Sequence, residues 1–137
     1  MSEAYRVDVE VTAPVMPTEV PERVAQAIRE LFPGADPEQR HGELTATVHD
    51  LDQFSQCLHR QEILDTARGV FFDDRRGDSF GFRLKKGAAL QGRVNFAVDE
   101  PGEIGDISVR VRVEEPDVES FIDHVAPPTE DGSPVDV

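Results

Sequence analysis

Five stretches of this chain alternate apolar and polar residues with a period of two. Tyr5, Val7, Val9 and Val11 are interleaved with Arg6, Asp8 and Glu10; Leu44, Ala46 and Val48 with Thr45 and Thr47; Phe80, Phe82 and Leu84 with Gly81 and Arg83. Val94, Phe96 and Val98 repeat the pattern, and Ile107, Val109, Val111 and Val113 face away from Ser108, Arg110 and Arg112. Successive side chains of a strand point to opposite faces, so each stretch reads as a half-buried strand with one apolar face and one polar face. Such a set must assemble into a sheet with something apolar laid against one side.

Helical periodicity supplies that covering. Val20, Val24, Ala27, Ile28, Leu31 and Phe32 share one helical face, with Thr18 as the expected cap, Pro21 in the first turn and Pro33-Gly34 as the stop. Asp50 is the expected cap of a second helix carrying Leu51, Phe54, Cys57 and Leu58. That stripe breaks at His59-Arg60-Gln61, and Ile63, Leu64, Ala67, Val70 and Phe71 begin another, so two helices or one bent helix are expected. Lys86–Gly92 reads as a short helical turn or a wide connection, Asp99–Gly105 as a turn. A last helix is expected near Pro116, with Val118, Phe121, Ile122 and Val125 inward. The order β-α-β-α-α-β-β-β-α defines an α+β protein with a mixed or mainly antiparallel sheet of about five strands and helices packed on it. Residues 1–126 form one domain in this reading, and 127–137 an acidic irregular tail.

With 137 residues the chain is long enough for a core without staples. Cys57 is the one cysteine, which excludes an intrachain disulfide and suits a reducing compartment. No apolar run approaches the roughly 20 residues of a membrane span, and the N-terminus lacks a signal-peptide pattern. A soluble cytoplasmic protein with no membrane partner is expected.

Charge is divided unevenly. Between Arg60 and Arg93 eight basic residues meet five acidic ones, whereas the rest of the chain holds six basic and 23 acidic residues, for a net charge of −14. Acids spread through every segment, together with twelve Arg to two Lys, suggest adaptation to high salt. At multimolar salt the Debye length falls to about 3 Å or less, so a negative net charge does not by itself exclude an RNA partner.

Catalytic signatures are mostly lacking. There is no phosphate-binding glycine loop, dinucleotide fingerprint or nucleophile elbow. His41, His49, His59 and His124 lie on separate segments and read as surface residues, so no metal or cofactor is expected. Cys57 reads as a small core residue, and Asp50 and Asp52 as a cap and a first-turn acid. The basic stretch differs. Arg83 and Lys85 point the same way on their strand, Arg93 and Asn95 do likewise on the next, and the two strands together show a small cationic plate edged by Lys86 and Arg68. Such a plate suits phosphate oxygens. The competing reading pairs these cations with the chain's own carboxylates. Asp65, Thr66 and Arg68 on one helix form an alternative ligand or enzyme site, with Arg68 clamping an anion, against a plain Asp65–Arg68 surface ion pair. A protein–protein adaptor, dimerising through the exposed edge of the last strand, is a third reading.

Several words of the chain closely resemble one archaeal family. They are Gln61-Glu62-Ile63-Leu64-Asp65-Thr66-Ala67-Arg68, Phe82-Arg83-Leu84-Lys85-Lys86-Gly87-Ala88-Ala89, Gly92-Arg93-Val94-Asn95-Phe96, and Ala126-Pro127-Pro128-Thr129-Glu130-Asp131-Gly132-Ser133-Pro134-Val135. The family is the uncharacterised protein family zero-two-zero-one, grouped with predicted RNA-binding proteins. The resemblance spans essentially the whole chain. It implies a fold like that of the fifth large-subunit ribosomal protein, no defined catalytic residues and a role in binding RNA; with the composition, the expectation is a non-catalytic protein on structured RNA, ribosomal or small and stable, in a halophilic archaeon.

Overall fold

A computed structural model describes residues 5–98, 105–130 and 133–134. Its main sheet has five strands in the order β2-β3-β1-β5-β4, every neighbouring pair antiparallel. The strands are β1 (Arg6–Pro14), β2 (Glu38–Arg40), β3 (Glu43–Val48), β4 (Ser79–Lys85) and β5 (Asp106–Glu115). The helices are α1 (Pro21–Leu31), α2 (Asp52–Arg60), α3 (Leu64–Asp73), α4 (Lys86–Leu90) and α5 (Val118–Val125). A two-residue pair of β6 (Thr129–Glu130) with β7 (Ser133–Pro134) follows, where an irregular tail was expected.

The alternation explains the architecture. Val7, Val9, Val11 and Ala13 of β1, Ile107, Val109, Val111 and Val113 of β5 and Phe80, Phe82 and Leu84 of β4 are all buried, and the residues between them face outward. Helices cover the buried side. Phe54 of α2 stacks on Phe82 at 5.1 Å between ring centroids, and Phe71 of α3 meets Phe80 at 4.9 Å and Phe82 at 5.1 Å. Phe121 of α5 packs on Tyr5, 5.6 Å away. Tilted and offset ring pairs of this kind add to the burial of large apolar surface. The expected inward phase of Phe80 and Phe82 holds, and Phe96 is half-buried against the same rings.

Several local expectations are corrected. Thr18 does not cap α1: the helix starts at Pro21 behind Val20, which makes no side-chain cap, and Glu19 instead accepts from the Met16 amide at 3.0 Å. Asp50 is not the cap of α2 either: the helix starts at Asp52 behind Leu51, which makes no side-chain cap, and the Asp50 carboxylate accepts from the Asp52 amide at 3.1 Å from one position further out. The helical stripe breaks between α2 and α3 as expected, Glu62 taking a positive φ of 57°. α5 is capped by Asp117, whose carboxylate accepts from the Ser120 amide at 2.8 Å and the Ser120 hydroxyl at 2.9 Å. These bonds, the backbone one foremost, hold the Asp117 carboxyl below its ordinary range.

The strand expected at Val94–Val98 is only an isolated bridge, Leu84 to Phe96, flanked by Lys85 N–H donating to Asn95 O (3.0 Å) and Ala97 N–H donating to Arg83 O (2.9 Å). Gln61 anchors this segment from α2's end, its amide donating to Val94 O at 2.9 Å and accepting from Val94 N–H at 2.7 Å. The expected turn at Asp99–Gly105 lies, apart from Gly105, outside the described residues. β5 runs between β1 and β4, so the last long strand lacks the exposed edge that was expected of it. Among the described residues no helix is long and apolar enough to cross a membrane.

Candidate functional site

On the polar side of the sheet Asp8, Glu10, Ser108, Arg110 and Arg112 are exposed, and the end of α3 reaches that side beside β4. Across that side one row runs Glu38, Thr45, Thr12, Ser108, Arg83, and the next runs Thr47, Glu10, Arg110, Gly81. β5 lies between β1 and β4, which sets its Arg110 opposite Gly81, in the row next to that of Arg83.

Of the expected cationic plate, the structure keeps part. Lys85 and Asn95 are paired positions on adjacent segments, and both are exposed, as is Arg93. Arg83 shares their strand phase but is half-buried and donates to Asp106 at 2.9 Å, where Asp106 is 9% exposed. Lys86 leaves the plate altogether. It is 5% exposed, and its ammonium reaches back to Pro14 O and, at 2.8 Å, to Glu19. The reason is a change of element: β4 ends at Lys85 and α4 begins at Lys86, so strand alternation no longer sets its direction. Arg68 is on the helical side, donating to Asp123 (2.7 Å) and Ala126 O (2.9 Å) with its guanidinium 5.3 Å from the Phe72 ring.

The alternative cluster does not converge on an anion. Asp65 accepts from the Thr129 hydroxyl and Arg68 binds Asp123, so the two secure the C-terminal segment from α3 instead of pairing with each other. Thr66 is exposed beside them. Cys57 is fully buried in the core. Among the described residues no group of three or more His, Cys, Asp or Glu is placed to hold a metal.

An open cleft of about 600 Å³ opens on the polar face, and sequence reasoning missed it. Its cations are Arg83 and Arg110, its acids Glu10, Asp73 and Asp74, and Val70, Ala97 and Val98 give it an apolar wall. Gly81 makes the arrangement fit. A Cβ there would stand 3.1 Å from the Asp74 carboxylate, 3.1 Å from Val109 O and 3.4 Å from a terminal nitrogen of Arg110. The outward phase of Arg110 was legible; what the sequence lacked was the strand order that sets it beside Gly81, and the Asp73–Asp78 connection that brings Asp74 over the sheet.

The fold defines an α+β protein with a five-stranded antiparallel sheet, helices on its apolar side and, among the described residues, a largely exposed charged side. No protein-family model matches the chain. It is 37% identical over 133 residues to a UPF0200/UPF0201 protein of Archaeoglobus fulgidus, covering 96% of this chain but 41% of that relative. It is 34% identical over 142 residues to a UPF0201 protein of Aeropyrum pernix, covering 95% of this chain and 91% of the relative. The crystal structure of a UPF0201 protein from Methanococcus jannaschii superposes with a TM-score of 0.86 at 32% identity, covering 94% of this chain and 99% of that one. The chain belongs to UPF0201, the archaeal family zero-two-zero-one that its sequence words resemble.

Proposed function

We propose that this protein is a non-catalytic RNA-binding protein that docks structured RNA, ribosomal or small and stable, along the sheet edge bearing Lys85, Arg93 and Asn95. One observation carries the reading. In a chain with 28 acidic residues, Lys85 and Arg93 are exposed and make no ion pair among the described residues. The competing explanation, in which every cation serves an internal carboxylate, holds for Arg68, Arg75, Arg83, Lys86 and Arg112 but not for these two. Phosphate oxygens are their natural partners, and Asn95 beside Lys85 offers a neutral donor and acceptor to a ribose or base. The inward aromatic rings leave shape and backbone charge as the means of recognition. The spread of acids fits a cytoplasm rich in salt, where close contacts survive while long-range repulsion is screened. A likeness to the fifth large-subunit ribosomal protein belongs to the same proposal.

The test is a Lys85→Glu/Arg93→Glu variant, assayed against structured archaeal RNA in matched salt. Affinity is expected to fall by at least about tenfold, and the slope of log affinity against log salt to shrink by about two. Unchanged affinity, or no RNA binding by the unaltered protein, overturns the reading. Arg83 is left intact, because reversing it would place a second carboxylate against buried Asp106.

A further inference from the structure

We propose that the cleft over Gly81 is a binding site for a 5′-ribonucleotide unit, its phosphate held by Arg110 beside Arg83, its ribose hydroxyls donating to Asp74 and Asp73, and its base lying on Val70 and Val98.

Size is the first argument. About 600 Å³ is within the range of small-molecule sites and suits a nucleotide better than a bare ion. Charge placement is the second. Arg110 faces Glu10 and Gly81 across the sheet, yet forms no ion pair among the described residues. Its terminal nitrogen and the Asp74 carboxylate are 3.4 and 3.1 Å from one point above Gly81, so they flank the same space without being joined to each other. A ligand that fills the space must offer an acceptor to the guanidinium and a donor to the carboxylate. Phosphate fits the planar donor fork of arginine, and an ionised carboxylate only accepts, which suits sugar hydroxyls. The Arg83–Asp106 bond fixes the second guanidinium at the cleft without adding a free acid there.

The wall is the third. Val98 is 75% exposed at the rim, one of few large apolar side chains left in water among the described residues, and Val70 and Ala97 continue it. An apolar wall beside a charged floor matches a molecule with a flat aromatic base at one end and a sugar phosphate at the other. Free nucleotides and single residues of an RNA chain share this chemistry. Only the second source rests on the RNA reading above.

Calorimetric titration of the full chain with AMP, UMP and a five-residue single-stranded RNA separates the sources. Each is compared with its 2′-deoxy counterpart, and AMP also with adenosine. Loss of a charge-assisted hydrogen bond should make the deoxy forms bind about tenfold more weakly. Arg110→Gln should weaken AMP but not adenosine, and Asp74→Asn should erase the ribose preference; neither pattern arises from general damage to the fold. Amide shifts at Gly81, Ala97 and Ser108 of the unaltered protein locate the ligand even if a variant unfolds. Mononucleotide binding with these signatures supports a free-nucleotide site, and oligonucleotide binding alone supports a residue of RNA. Three outcomes overturn the proposal: no binding of either up to about 1 mM, equal affinity for ribo and deoxy forms, or shifts elsewhere. Structured RNA that binds through Lys85 and Arg93 while the cleft stays silent would leave the docking reading standing and remove this one.

Discussion

Lys86 and Lys85 are chain neighbours with opposite environments. Lys85 is in water, whereas Lys86 ties Glu19 to Pro14 O beneath α1. Glu19 is itself largely buried, its side chain 15% exposed, so removing the ammonium would leave its charge uncompensated, with only the Met16 amide to bond it, and would strip Pro14 O of the same donor. Lys86→Met is expected to destabilise the protein by about 3–5 kcal/mol, the cost of breaking a buried pair from one side. Lys85→Met should cost less than about 0.5 kcal/mol, as surface substitutions generally do. Chemical unfolding of the two variants checks this, and equal stabilities would refute the structural role of Lys86. Sequence alone did not separate the two lysines, because the boundary between β4 and α4 falls between them and nothing in Lys-Lys-Gly marks it.

Among the elements, the segment at Arg93–Ala97 depends most on one side chain. It meets β4 through two backbone bonds, and Gln61 closes a two-bond clasp on Val94 from the far side. Gln61→Ala removes both clasp bonds. Hydrogen exchange at the Ala97 and Lys85 amides should then accelerate at least about tenfold while the β1–β5 amides keep their protection, since local opening can be cheaper than global unfolding. Uniform acceleration would show that the segment opens only with the whole sheet. The strands with long period-two patterns, β1, β3, β4 and β5, were readable because burial of one face dictates alternation. β2 was not, since Glu38, Gln39 and Arg40 are all exposed and leave no apolar signature. Val94–Val98 carried the signature yet gained only a bridge: the backbone of Val94 is held by Gln61, Phe96 joins the phenylalanine cluster, and Val98 stays in water. The cleft was illegible for a related reason: its residues come from β1, β4, β5, α3 and two connections, and only the sheet order brings them together.

For the molecule as a whole, the governing quantity is a net charge of −14. Like charges spread over a chain of this size repel one another in the compact state, and added salt screens that repulsion. The melting temperature is therefore expected to rise by several degrees between about 0.1 M and 1 M KCl, where the Debye length falls from about 10 to 3 Å. A flat or falling profile would contradict a stability limited by self-repulsion. Salt should weaken RNA docking over the same interval, so the two measurements are expected to move in opposite directions. The open side of the sheet bears on how such a protein can change. Each long strand answers to two masters: its inner residues to the helices they touch, its outer ones mostly to water and to a few surface ion pairs such as Arg112 with Asp78. Substitution on the outer side can thus accumulate, and recognition can be rewritten there, while the hydrophobic interior stays as it is.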